Sequence, residues 1–289
     1  MALSGPYAGR AVCLTTCHGK QRALARPFRA GLGAFLLVSD GVTDKLGTFS
    51  GEVERPCDAL TTCRRKAELG LAQSGLNLGL ASEGSFGPHP AVPFLPAGQE
   101  LLLFLDPDRG LEVVEQRLEL RTNYSRLVLE PGADPGPWLE RIGFPGHGVI
   151  VRPEADPPET DPLAPCVKGI QSREQLELAI ASCRVAGSDH PLVLETDMRA
   201  HFNPTRMASI RRLGFRLVRR LASACPTCQA PGWGQTDALP GLPCEWCGSL
   251  TDLTASEIWS CAVCDHRQER PRSDGRRTAD PAHCPYCNP

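Results

Sequence analysis

Short apolar segments alternate with segments of helical periodicity along the first 224 residues of the chain. The apolar segments have the length of strands and comprise 11–16, 34–40, 77–82, 100–106, 166–170 and 191–197. Helical spacing begins after the cap residues Asp58, Ser172 and Asn203. The segment 111–123 fits either a strand or a helix. The alternation predicts an α/β fold in which a mixed sheet carries flanking helices.

Eight of the 14 cysteines form four C-x2-C pairs near the end of the chain. The pairs are Cys225/Cys228, Cys244/Cys247, Cys261/Cys264 and Cys284/Cys287. Two residues between thiolates let one tight turn direct both sulfurs at one ion, and a tetrahedral zinc ion needs two such turns. The spacers between the first two pairs and between the last two fit the pattern of structural zinc sites.

The sequence therefore predicts two structural zinc ions. Pairing of neighbours gives one ribbon over 225–247 and another over 261–287. A cross-braced arrangement, with the first pair joined to the third and the second to the fourth, uses the same residues and is the alternative. A segment with so few apolar residues cannot build a sufficient core, so metal binding is expected to drive its folding.

These patterns divide the chain into two predicted domains. An α/β domain covers 1–224, with a candidate sub-boundary in the acidic, Pro-rich loop 152–165. A small tandem zinc-ribbon module covers 225–289.

Composition and charge indicate an ordinary globular protein. Hydrophobic residues make up 41% and charged residues 22%, which is near the globular average. The formal net charge of −2 gives no overall field that would attract nucleic acid or anionic lipid. The N-terminal residues contain no basic segment followed by a long apolar core, and no stretch approaches 18 apolar residues. We expect a cytoplasmic protein with no membrane segment.

A basic helix is predicted over 204–224. The span 199–224 contains no acidic residue and seven arginines, at positions 199, 206, 211, 212, 216, 219 and 220. Such a run is typical of a solvated helix face, of a face turned toward the acidic zinc module, or of a patch that binds nucleic acid.

Polar residues follow several of the predicted strands, where ligands of open α/β sheets bind. Glu195 and Asp197 lie two residues apart on one side of a strand, and with Glu83 they are candidate ligands of Mg²⁺. The candidate catalytic residues are Glu83, His18 and Asp197. The candidate phosphate-binding residues are Thr16, Lys20, Lys66, Lys168, Arg199 and Arg206. Asp40 and Asp44 follow the second strand.

Several motifs together resemble a bacterial family that is defined only as a domain of unknown function. They are LTTCHGK, DKLGTFSGE, ASEGSFGPHP, ETDMRAHFNPTRM, GLPCEWCG and CPYCNP. The resemblance covers nearly the whole chain and implies no particular activity.

A fainter resemblance links 11–105 to the nucleoside-triphosphate pyrophosphatases that hydrolyse damaged purine nucleotides such as inosine triphosphate. It implies a phosphate loop containing Thr15, Thr16 and Lys20, a helix carrying Lys66-Ala67, and a metal-binding acid at Glu83-Gly84. His18 and Thr62 stand where that family has asparagine, and Lys20 comes one residue early.

Two hypotheses about function follow. The first is a divalent-metal-dependent phosphohydrolase that acts on a nucleotide or a related phosphoester. The alternative is a non-enzymatic zinc-ribbon protein that binds nucleic acid or a protein partner. The first hypothesis predicts a small phosphate-containing ligand. The second is based on the zinc ribbons and the arginine-rich helix.

Overall fold

The computed structural model describes residues 5–39, 58–154, 165–184 and 190–289. The strands are β1 (Ala11–Thr15), β2 (Phe35–Ser39), β3 (Gly79–His89), β4 (Val92–Asp106), β5 (Leu111–Glu119), β6 (Arg126–Leu129), β7 (Val149–Pro153), β8 (Val167–Ile170), β9 (Leu192–Thr196), β10 (Gly234–Pro240), β11 (Thr254–Ser260) and β12 (Arg267–Pro271). The helices are α1 (Gln21–Leu32), α2 (Ala59–Ser74), α3 (Gly136–Ile142), α4 (Arg173–Cys183) and α5 (Pro204–Leu221). Asp40, Asp44 and the motif DKLGTFSGE lie outside the described residues.

The first sheet is mixed, which confirms the predicted fold class. Its strand order is β2-β1-β3-β4-β5. Strand β1 is parallel to β2 and β3, whereas β3, β4 and β5 are successively antiparallel. The segment 111–123, which the sequence left open, forms strand β5.

Helices cover both faces of this sheet. Helices α1 and α5 pack on one face, where Leu14, Leu80 and Phe104 are buried in the main core. Helix α2 packs on the other face, against a smaller buried group that contains Leu101 and Leu103. The sequence places Gly70 in α2, where an added Cβ would lie 2.1 Å from the hydroxyl oxygen of Thr15. Close packing of α2 on β1 therefore requires glycine at that position.

The second sheet is antiparallel throughout, with the order β6-β9-β7-β8. Its own apolar core includes Trp138 and Leu139 of α3 and Leu176 and Ala179 of α4. One hydrogen bond connects this sheet with the start of α5. The side-chain amide of Asn203, which caps α5, donates to the side-chain oxygen of Asn123, which precedes β6, at 2.9 Å.

Three helices begin at the cap residues that the sequence indicated. The side chain of Asp58 accepts a hydrogen bond from the Thr61 amide, Ser172 from the Gln175 amide, and Asn203 from the Arg206 amide. These bonds satisfy amide groups that a helix leaves unpaired at its first turn. The cap of α5 is important for the site because it fixes Arg206 in the first turn.

The C-terminal residues form a third sheet, with the order β10-β11-β12 and antiparallel pairing. It contacts the end of α5 and strand β5: the Arg220 side chain donates to the Gly232 carbonyl oxygen at 3.1 Å. A Cβ on Gly232 would lie 2.9 Å from Ala262 and 3.0 Å from Val113. In the part of the chain that the structure describes, no helix is long and apolar enough to cross a membrane.

Candidate metal centres and a charged cluster at the strand ends

The eight cysteines of the C-x2-C pairs form two groups of four. Cys225, Cys228, Cys261 and Cys264 make up the proximal group, and Cys244, Cys247, Cys284 and Cys287 make up the distal group. The first pair thus joins the third, and the second joins the fourth. The prediction that neighbouring pairs share an ion is wrong, and the cross-braced alternative is confirmed. Strands β10 and β11 explain the difference, because their antiparallel pairing returns the third pair to the first.

Sulfur distances within each group fit a tetrahedral metal site. The Sγ atoms of Cys225 and Cys264 are 3.8 Å apart, and those of Cys247 and Cys284 are 3.6 Å apart. Four thiolates at a zinc–sulfur distance of about 2.3 Å have edges of about 3.8 Å. A disulfide bond would need a sulfur separation of about 2 Å. Within the distal group, hydrogen bonds from Ser249 lower the pKa of the Cys247 thiol to about 6, whereas the hydrogen bond with Cys247 raises the pKa of the Cys287 thiol to about 12.

The two groups differ in their surroundings. Next to the proximal group, Trp233 is buried and stacks with His266 at 5.1 Å between ring centroids. Next to the distal group, Trp246 and Tyr286 lie inside the C-x2-C turns and are about three-quarters exposed, at 75% and 76%. The proximal group is thus attached to the core of the protein, and the distal group presents aromatic side chains to solvent.

A charged cluster lies where β1 ends, beside Ser82 and Glu83 within β3, so Glu83 does not follow its strand as the sequence suggested. Lys20, in the loop between β1 and α1, is buried, and its ammonium group donates to the Ser82 carbonyl oxygen at 2.8 Å and to the Ser82 hydroxyl at 3.2 Å. Burial and the neighbouring Arg206 lower the pKa of Lys20 to about 8. The Thr16 hydroxyl accepts a hydrogen bond from the His18 amide, which shapes the same loop.

Two ion pairs complete this cluster, one on each face of the sheet. On the α2 side, Lys66 donates to the Glu83 carboxylate. On the α5 side, Arg206 donates to Glu100 at 2.6 Å, and both side chains are almost fully buried. Arg206 also donates to the Met198 carbonyl oxygen, which ties α5 to the segment that follows β9. The two ion pairs thus lie on opposite faces of the sheet, and charged groups of both pairs act on the pKa of Lys20.

The carboxylates that were expected to share Mg²⁺ bind cationic side chains instead. Asp197 is buried and holds Arg199 at 2.7 Å, and it also accepts from the Gly169 amide. Glu195 points toward Arg152, at 3.0 Å, and is partly exposed. Among the described residues, the groups of three or more side chains that could hold an ion are the two cysteine groups. Glu83, Glu195 and Asp197 do not form such a group, because they belong to two different sheets and to separate ion pairs.

A pair of stacked histidines lies beside the cluster. The rings of His18 and His201 are 5.3 Å apart and nearly parallel. Burial lowers the pKa of His18 to about 3, with contributions from Lys20, His201, Arg206 and Arg199. His201 and Glu100 were not singled out from the sequence. The position of Glu100 opposite Gly84 in the β3–β4 register could have revealed that Glu100 lies beside this cluster, but only if the pairing were known.

Lys168 lies in β8, and the adjacent Gly169 is packed against Phe202 and Arg199: a Cβ on Gly169 would lie 2.7 Å from the Phe202 ring. The Arg199 guanidinium sits 4.6 Å over that ring. Arg199 and the residue after Lys168 thus meet at one edge of the second sheet.

The arginine-rich helix α5 faces acidic residues of the first sheet. Arg212 pairs with Glu119, and Arg216 and Arg220 pair with Glu115 of β5. Four of the seven arginines, counting Arg206, are therefore held by glutamates of β4 and β5. Toward the zinc module, Arg220 donates to the Gly232 carbonyl oxygen and packs on Gly234.

Comparison with known proteins identifies the family. The model of one family, described as a domain of unknown function (DUF6671), matches residues 66–289. No curated protein and no solved structure matches the chain. The match includes both cysteine groups and the motif ETDMRAHFNPTRM, whereas LTTCHGK precedes it. The expected membership of a family of unknown function is thus confirmed over residues 66–289, and the resemblance to pyrophosphatases stays a prediction. The chain belongs to the DUF6671 family of domains of unknown function.

Proposed function

We propose that this is a zinc protein in which two Zn²⁺ ions, one in each cysteine group, hold residues 225–289 in their fold and against the α/β part. The observation that carries the proposal is the crossed grouping of eight cysteines, with sulfur separations of 3.6 to 3.9 Å. Soft thiolate ligands in tetrahedral groups select zinc over harder divalent cations.

The role of these ions is structural. Four sulfur ligands fill a tetrahedral zinc ion and leave no coordination position for water or substrate. The apolar content around the ions is small, and the aromatic residues of the distal turns are exposed. A structural zinc ion supplies on the order of 10 kcal/mol of folding free energy, which replaces the missing core.

The test counts zinc in double variants of the full chain. Under the crossed grouping, Cys225→Ser with Cys261→Ser damages one site, so elemental analysis should find one zinc per chain. Cys225→Ser with Cys244→Ser damages both sites, so it should leave close to none.

Sequential pairing predicts the opposite result for each variant, and the wild type should hold two zinc ions in either case. Cys17→Ser is the matched control, because Cys17 belongs to neither group. Retention of two zinc ions by both double variants, or a wild type without zinc, would refute the proposal.

A phosphohydrolase is the second candidate, because Lys20, Lys66 and Glu83 lie near one another between the end of β1 and the middle of β3. The zinc-loaded protein with added Mg²⁺ should then release phosphate or pyrophosphate from at least one nucleoside triphosphate, and Glu83→Gln should abolish the release. Glu130→Gln, at an exposed carboxylate far along the chain, is the control. Absence of turnover across the panel would remove this candidate.

A further inference from the structure

The edge formed by the β1–α1 loop and the segment after β9 collects basic side chains. His18 comes from the loop, and His201 and Arg199 come from the segment. The two backbones approach closely: a Cβ on Gly19 would lie 3.6 Å from the Cβ of His201. Gly19 has a φ of +66°, a conformation that favours glycine, so the loop is shaped to bring the two rings together.

Charged groups from three parts of the fold act on His18. Burial is the main cause that lowers the pKa of His18, and Lys20 at the start of α1, His201 and Arg199 after β9, and Arg206 in α5 lower it further. Carboxylates hold two of these groups, since Glu100 binds Arg206 and Asp197 binds Arg199.

Lys20 is different, because its hydrogen-bond acceptors in the described part of the chain are both neutral atoms of Ser82, and the two carboxylates that act on its charge, Glu83 and Glu100, are each bound to another cation. A buried ammonium group without a carboxylate in direct contact is unfavourable, and an anion nearby would compensate it.

The edge also offers accessible hydrogen-bond donors. His201 is exposed, His18 is partly exposed, and about a quarter of the Arg199 side chain, 24%, reaches solvent. Helix α1 begins here without a side-chain cap and adds a partial positive charge, although the amides of Arg22 and Ala23 already donate to the carbonyl oxygens of Gly19 and Lys20. The donors are thus side chains from two segments, and several such donors suit the tetrahedral oxygens of a phosphate group better than the two oxygens of a carboxylate.

We propose that His18, His201 and Arg199 bind the phosphate group of a small molecule, with Lys20 and Arg206 as the positive charges that favour its entry. The ligand is a phosphate monoester or free orthophosphate. Binding of this kind requires neither hydrolysis nor a second metal, so it stands apart from the phosphohydrolase candidate.

The test is calorimetric titration of the zinc-loaded full chain at constant ionic strength. The probes are orthophosphate, adenosine monophosphate and adenosine. Both phosphate compounds should bind and adenosine should not. Tighter binding of the nucleotide than of orthophosphate would identify the monoester as the natural source of the group, and equal binding would identify orthophosphate.

His201→Ala should weaken binding about tenfold, as expected for loss of one charge-assisted hydrogen bond. His190→Ala removes an exposed histidine from another part of the chain and should leave binding unchanged. If His201→Ala does not fold, His18→Gln serves in its place. Proton resonances of the imidazoles give a second readout, because a bound phosphate should raise the pKa of His18, whereas a purely structural histidine pair would not respond.

Three results would overturn the proposal. They are no binding of either phosphate compound, adenosine binding as tightly as its monophosphate, and equal affinity in wild type and His201→Ala. Binding of adenosine monophosphate, together with no release of phosphate or pyrophosphate from the nucleoside triphosphates, would support this site and remove the hydrolase.

Discussion

The buried ion pair between Arg206 and Glu100 gives the sharpest test of the α/β part. Both side chains are at most 3% exposed, and Arg206 also donates to the Met198 carbonyl oxygen. Arg206→Met keeps much of the side-chain length but leaves a buried carboxylate without its partner. Removal of one member of such a pair destabilises a protein by about 3–5 kcal/mol.

The measurement is urea unfolding of the zinc-saturated protein, followed by circular dichroism and tryptophan fluorescence to check for one shared transition. Glu100→Gln and the double variant complete the cycle, and a coupling energy of about 2 kcal/mol or more is expected. Arg126→Met is the matched control, because Arg126 pairs with Glu154 on the surface and its loss should change stability by less than about 1 kcal/mol. If Arg206→Met loses no more than this control, or if the two single changes add without coupling, the reasoning about this pair fails.

Three further predictions concern the metal sites and Lys20. A strong chelator should remove two zinc ions and abolish the ordered environment of Trp233 and Trp259, while the helical circular dichroism of the α/β part persists; loss of all helical signal would contradict this. Cys225→Ser should increase hydrogen exchange in α5 and β5 more than Cys244→Ser does, because the proximal group contacts the core through Gly232 and Ala262; equal effects would show that the contact carries no stability. Burial lowers the pKa of Lys20 from 10.5 to about 8 in the folded state, so between these pH values the unfolded chain binds more protons than the folded chain. The free energy of unfolding of the wild type, measured with urea at each pH, should therefore rise by about 2 kcal/mol relative to that of Lys20→Met between pH 7 and pH 9.5. A difference that stays constant with pH would show that Lys20 is not buried as described.

Local chemistry made much of the fold predictable. Side-chain caps at Asp58, Ser172 and Asn203 marked helix starts because each supplies an oxygen to an unpaired amide, and the structure has those bonds. Strand β1 could be predicted from its short apolar segment alone. Residues 126–153 were harder, since α3 has seven residues and β6 has four, which is too short to show a period.

The pairing of distant segments could not be read from the sequence. The spacers within the tail fit both metal connectivities, and the choice was made by the antiparallel pairing of β10 with β11. Likewise, Glu195 and Asp197 looked like one site because they are two residues apart, yet each meets a different arginine contributed by the surrounding fold. Arg206 and Glu100 are 106 residues apart, so only the folded sheet reveals that they are partners.

The crossed cysteine grouping connects the two halves of residues 225–289 to each other. With an ion in each group, a protease cut between Cys247 and Cys261 would leave two sulfurs of every site on either side, so the two pieces would stay together until the metal is withdrawn. During synthesis, moreover, the proximal group is complete only when Cys264 has emerged, and the distal group only when Cys287 has emerged.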